Sequence, residues 1–231
     1  MDTTVHDLFN PLCVRGEGVT PVVGGLPEAP GVRLELRSTG RFCNEGARPM
    51  DDAFATYAWA TDSRIECLTG QRFTEQYRRR ALGDRWWVFD SAPTTGALTA
   101  VSLPHPARKL EALEAIPHAR YVNGSDVKSM TTLFGDLEAL DLKDAAARLA
   151  HPKADLLGAS RTRMGRAQAL MREFCARGVP FMLVASGAKR WVLNRAAVYS
   201  NPHALLSQLE AARATCALFA GPSWKTPSTQ P

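Results

Sequence analysis

From Val32 to Arg37 the chain alternates apolar and charged residues (Val-Arg-Leu-Glu-Leu-Arg), the period of a half-buried β-strand. The thirty residues before it are rich in glycine and proline and read as extended, looping chain. Met50 to Trp59 reads as a short helix with Asp51 and Asp52 in its first turn, where carboxylates favour the helix dipole. Gly70 to Leu82 reads as a second helix ended by Gly83, and the aromatic and branched run Arg85–Asp90 as a strand. Pro93 to Gly96 then makes a turn, with Ala97 to Leu103 as the returning strand of a hairpin. Leu110, Leu113 and Ile116 share one face of the next helix, which ends at the turn signal Asn123-Gly124.

Beyond Ser125 the pattern is helical. Short helices carry Leu137, Leu140, Leu142 and Leu149, and a longer one is capped by Ser160 and stopped by Gly178. A short apolar strand from Phe181 to Ala185 forms a hairpin reaching Asn194, and Asn201-Pro202 opens a last helix. The expected fold is α+β, a small mixed sheet or sheets with flanking helices, in one lobe or two. Residues 1–124 form a strand-rich region, 125–220 a helix-rich region and 221–231 a disordered tail. A faint echo between Ala81–Asp90 and Ala185–Asn194 fits either a duplicated helix-strand unit, which gives two related lobes, or chance matching of a glycine turn before a strand.

Composition narrows this picture modestly. The chain has 231 residues, 45% of them apolar, with 28 basic and 23 acidic side chains and a formal charge of +5. That excess permits a polyanionic ligand without requiring one. The five cysteines (Cys13, Cys43, Cys67, Cys175, Cys216) include no Cys-x-x-Cys pair, so a reducing cytoplasm is the expected compartment. Cys175 and Cys216 fall on apolar helix faces and read as core filling. The N-terminus has no basic leader with an apolar core, and no apolar run is long enough to span a membrane.

The candidate chemistry is cationic. Arg161, Arg163 and Arg166 lie on the long helix. Ser186 and Gly187 form a turn that presents backbone N–H groups beside Lys189 and Arg190, with Arg195 following, an arrangement suited to phosphate. Arg78, Arg79 and Arg80 precede Trp86 and Trp87, and Trp191 follows Arg190. Such pairing of cations with rings is what single-stranded nucleic acid uses. Solvated helix faces, a charged hairpin and an ordinary strand core are the structural alternatives. The histidines have no partner at ligand or relay spacing, and no phosphate-loop, nucleophile-elbow or dinucleotide motif occurs. No motif calls for a metal or cofactor. Asp51, Asp52, Asp84 and Asp90 could meet as a carboxylate site only through the fold.

The order helix, Gly178-Val179-Pro180, strand, then Gly187-Ala188-Lys189-Arg190 resembles the ParB/sulfiredoxin pattern, in which a Gly-x-x-Arg motif binds phosphate. The second strand that normally precedes that motif is missing, so Arg190, Arg195 or neither is the ligand. Size and charge are also similar to plasmid fertility-inhibition proteins of the Osa type, which share that fold. The resemblance implies a mobile-element protein that inhibits or regulates conjugative DNA transfer, its partner being DNA or a protein of the transfer machinery. The alternatives are a protein-binding inhibitor or adaptor without nucleic-acid contact, and a metal-dependent nuclease or phosphohydrolase.

Overall fold

The structure is a computed structural model that describes residues 3–13, 23, 25–26, 29–193 and 205–211. The strands are β1 (Thr3–Phe9), β2 (Val32–Ser38), β3 (Arg48–Pro49), β4 (Val88–Phe89), β5 (Phe181–Ser186) and β6 (Lys189–Val192). The longer helices are α1 (Asp52–Thr69), α2 (Ala92–Ser102), α3 (Lys109–Tyr121), α4 (Met130–Ala139), α5 (Lys143–Ala150) and α6 (Ala154–Glu173). A short helix (Glu75–Tyr77) continues into a π-helical turn (Arg78–Leu82).

The main sheet runs β2-β1-β5-β6. β1 pairs parallel with β2, Thr3 opposite Val32 and Phe9 opposite Ser38, and antiparallel with β5, Leu8 opposite Phe181. β6 returns antiparallel to β5 through Gly187, whose φ of 57° suits a residue without a Cβ. The fold is α+β, a small mixed sheet with flanking helices, as the pattern predicts. The helices between β2 and β5 close a core against one face of the sheet around Phe9, Leu12, Leu98, Ile116 and Leu133. The second cluster contains Val5, Met182, Val184, Leu205 and Leu209. No helix among the described residues is long and apolar enough to cross a membrane.

The alternating stretch is β2, the Leu113/Ile116 stripe is α3, and the expected C-terminal hairpin is β5–β6. Four expectations need correction. The N-terminal stretch expected to loop contains β1. As the middle strand it buries Thr3 and Asp7 as well as Val5, Leu8 and Phe9, which blurs the period of two. The expected returning strand Ala97–Leu103 is instead the second half of α2 with its C-cap Leu103, and Ala97, Leu98, Ala100 and Val101 are all buried. That helix can be buried because its hydroxyls are satisfied: Thr94 donates to Ser91 O, Thr99 to Thr95 O and Ser102 to Thr99 O, while Thr95 Oγ1 pairs with Ser38 Oγ at 3.0 Å. The long helix begins at Ala154 rather than Ser160, and Cys175, at φ 50°, takes the left-handed position that ends it. Cys175 is exposed, not core filling. Cys216, the start of the last helix at Asn201-Pro202, Arg195 and the tail lie outside the described residues.

Candidate active site at Cys13

The chain leaves the central strand through Asn10-Pro11-Leu12-Cys13, and every part of that turn is held. Asn10 Oδ1 accepts from Leu12 N at 2.9 Å, and the Asn10 carbonyl accepts from Cys13 N at 3.0 Å. Asn side chains favour such turns because they imitate backbone. Asn10 Nδ2 donates to Ser91 Oγ at 2.7 Å, and Tyr121 Oη donates to Leu12 O at 2.9 Å. The turn is thus tied to the residue before α2 and to the last residue of α3. It presents a half-buried cysteine at the C-terminal end of the central strand. Cys13 Sγ lies 3.7 Å from the carbonyl oxygen of Val179, in the loop that enters β5 through a cis Val179–Pro180 peptide. Tyr121→Phe leaves the buried Leu12 carbonyl without this donor. The expected cost is about 1–3 kcal/mol in urea unfolding.

Cys13 and Val179 stand at one edge of a cleft of about 230 Å³, which Met50, Phe54, Tyr77 and Phe89 line with aromatic and apolar surface. Arg120 of α3 is fully buried at this cleft. Its guanidinium carbon lies 4.2 Å from the centroid of the Trp87 ring, 5.3 Å from Tyr77, 5.5 Å from Phe89 and 5.7 Å from Tyr121. The ring faces partly replace the water that a cation loses on burial. Among the described residues, Arg120 Nε and Nη1 meet no acceptor. Asp62 of α1, also buried, accepts from Tyr77 Oη at 2.8 Å. Burial pushes the Asp62 carboxyl up to about 7, against the Tyr77 hydrogen bond and the Arg120 charge, which lower it.

The other thiols differ from Cys13. Cys43 is buried beside Ser91 and Thr95, and desolvation raises its thiol above the ordinary range. Cys67 and Cys175 are exposed, and no disulfide forms among the described residues.

The cationic residues singled out from the sequence lie on separate elements. Ser186 ends β5 as a buried residue accepting from Thr3 Oγ1, Gly187 is the hairpin turn, and Lys189 and Arg190 begin β6. Arg190 forms a two-pronged pair with Glu173 at 2.7 and 3.0 Å. Arg163 of α6 donates to Ser102 Oγ, while Arg161 and Arg166 are exposed on the same helix. Arg78, Arg79 and Arg80 are exposed on the π-helical turn, with Arg78 paired to Glu75 and over the Trp59 ring. Trp86 is 95% exposed, whereas Trp87 is buried and donates to Asp126, and Trp191 packs on the second core cluster. Asp51, Asp52, Asp84 and Asp90 serve locally as helix cap, Arg85 partner and turn acceptors. No group of three metal-ligating side chains occurs among the described residues.

A parallel β1–β2 pair, an antiparallel β5–β6 hairpin, a helical insertion between them and a cysteine facing a cis-proline loop define a thioredoxin-like fold of the DsbA kind. The chain is similar to the cytosolic disulfide reductase DsbM from Pseudomonas aeruginosa, at 26% identity over 92% of this chain and 99% of that one, with a TM-score of 0.77. A structure of that protein with GSH matches at 25% identity over 91% and 99% of the two chains, TM-score 0.75. A putative protein disulfide isomerase from Nitrosomonas europaea has the same fold, at 18% identity over 93% and 99% of the chains, TM-score 0.77. No protein-family model and no curated protein matches the chain.

These similarities overturn the ParB/sulfiredoxin-like resemblance. Gly187–Arg190 is the β5–β6 hairpin of a thioredoxin-like sheet, and the Gly178-Val179-Pro180 break is the loop facing Cys13. With the resemblance go the plasmid fertility-inhibition, DNA-binding and conjugation readings that rested on it, and the adaptor and nuclease alternatives, since the similar proteins are disulfide oxidoreductases. Cys13, Arg120, Asp62, Tyr77 and Tyr121 were not anticipated. Two local signals point to the site: the turn sequence Asn10-Pro11-Leu12 before Cys13, and the Val179-Pro180 step directly before the strand at Phe181.

Proposed function

We propose that this chain is a thiol–disulfide oxidoreductase whose nucleophile is the thiolate of Cys13. The observation that carries the reading is the placement of Cys13 Sγ at the end of the central strand, against the Val179 carbonyl. Similarity to a disulfide reductase along nearly its whole length supports it. Three residues after Cys13 stands Gly16, so the segment Cys13-Val14-Arg15-Gly16 lacks the second thiol of a Cys-x-x-Cys pair. An outside thiol therefore completes the cycle, and glutathione fits, given the structure of the similar reductase with GSH. The cytosolic setting of that reductase supports the same reducing compartment for this chain.

The chemistry balances as exchange alone. Cys13 Sγ attacks one sulfur of a disulfide, the Sγ–S bond forms, the substrate S–S bond breaks, and the electron pair leaves on the second sulfur as a thiolate. A glutathione thiolate then attacks Cys13 Sγ, releasing the other half of the substrate. A second glutathione attacks the glutathione sulfur, giving oxidised glutathione and restoring the Cys13 thiolate. The substrate disulfide is the oxidant and two glutathiones are the reductant. With hydroxyethyl disulfide as substrate and glutathione reductase consuming NADPH as the reporter, a rate above the protein-free control is expected. A rate equal to that control refutes the reading.

A further inference from the structure

The cleft beside Cys13 carries a charge that exchange chemistry does not use. Of the described residues that line it, Arg41 and Arg120 are cationic and Asp62 is the one carboxylate. Asp62, pushed up to about 7, offsets these cations only in part at neutral pH. Arg41 sits at the exposed end, donating to the Arg177 carbonyl at 3.1 Å. Arg120 sits under the aromatic wall with two nitrogens that meet no acceptor among the described residues. A buried cation in a low-dielectric wall acts more strongly on an entering anion than a solvated surface cation does. The volume of about 230 Å³ is below the roughly 300–1,000 Å³ of sites for drug-sized ligands, so a single ring or branched chain fits, not a folded partner.

We propose that this cleft is the subsite for a small carboxylated aromatic thiol, taken as one half of a disulfide, with its ring against Phe54, Tyr77 and Phe89, its carboxylate toward Arg120 and its sulfur at Cys13. The proposal deepens the exchange reading and rests on it. Arg120 is here a specificity residue. It selects which disulfide Cys13 meets and takes no part in the transfer of electrons between sulfurs.

The test compares two aromatic disulfides on the full chain, dithiobis-nitrobenzoate, which is carboxylated, and dithiodipyridine, which is uncharged. Release of the coloured thiol is followed, and the rate of Cys13→Ser is subtracted to remove the other cysteines. The rate ratio of the two reagents is divided by the same ratio for free glutathione, which removes their intrinsic reactivities. The normalised ratio is expected to favour the carboxylated reagent in the wild type and to fall about tenfold in Arg120→Met, while Arg120→Lys keeps part of it. Because Arg120→Met can unfold the chain, a second measurement uses the wild type alone. Benzoate is expected to slow alkylation of Cys13 by uncharged iodoacetamide, and benzyl alcohol, of similar shape, is not. A normalised ratio near one together with equal effects of benzoate and benzyl alcohol overturns the subsite. Failure of Cys13 to react with either disulfide above the Cys13→Ser background overturns the exchange reading itself, and the subsite with it.

Discussion

Cys13→Ser is expected to lower the rate of exchange with oxidised glutathione by about 100-fold or more while leaving the fold intact, because a hydroxyl is neither ionised at neutral pH nor nucleophilic toward sulfur. The substitution is nearly isosteric at a half-buried position, so the stability midpoint in urea should stay close to the wild type. The residual rate belongs to the exposed Cys67 and Cys175 and to Cys216, and it should resemble that of an unstructured thiol. The same loss from Cys67→Ser or Cys175→Ser would move the site away from the central strand.

The second large effect is on stability against pH. Asp62 is raised from 3.8 to about 7, so between those values the folded state holds a proton that the unfolded chain has released. Stability therefore falls as pH rises through this window, by about 4 kcal/mol for a shift of some three units. Lys109 has the opposite sign. Half-buried, with Nζ donating to Leu36 O at 2.6 Å, it is lowered from 10.5 to about 7 by desolvation and by Arg163 and Arg37 nearby. Between pH 7 and 10.5 the unfolded chain holds the extra proton, so stability rises with pH there by a similar amount. The wild type should show a stability minimum near neutral pH in urea unfolding across a pH series. Asp62→Asn, whose amide oxygen can still accept from Tyr77, should flatten the acid limb and leave the alkaline limb in place. Lys109→Met should do the reverse. A profile with its maximum at neutral pH in all three proteins would contradict the burial of both groups.

What the sequence made legible follows from how far each signal reaches. β2 and α3 each turn one face to the core, so their periods of two and 3.6 survive in the sequence. The stretch at 186–191 is readable as a hairpin from its local glycine turn, and it is the family resemblance attached to it that the similar structures overturn. β1 and α2 were misread because burial on several sides removes the periodicity that distinguishes strand from helix. Cys13 was hidden for a different reason: the absence of a second cysteine at Gly16 removes the familiar motif, and the carbonyl facing the sulfur lies 166 residues away in the chain. Arg120 looks like any helical arginine until Tyr77, Trp87 and Phe89 close around it.

In the proposed reaction Cys13 is the exchanging thiol. Its most direct test is to mix the full-length reduced protein briefly with oxidised glutathione, quench with acid, and locate the adduct by peptide mass spectrometry. A single early glutathione adduct on Cys13 is expected, appearing before any on Cys67 or Cys175 and removed again by added glutathione. Adducts that form first on the exposed cysteines, with Cys13 unmodified, would contradict it.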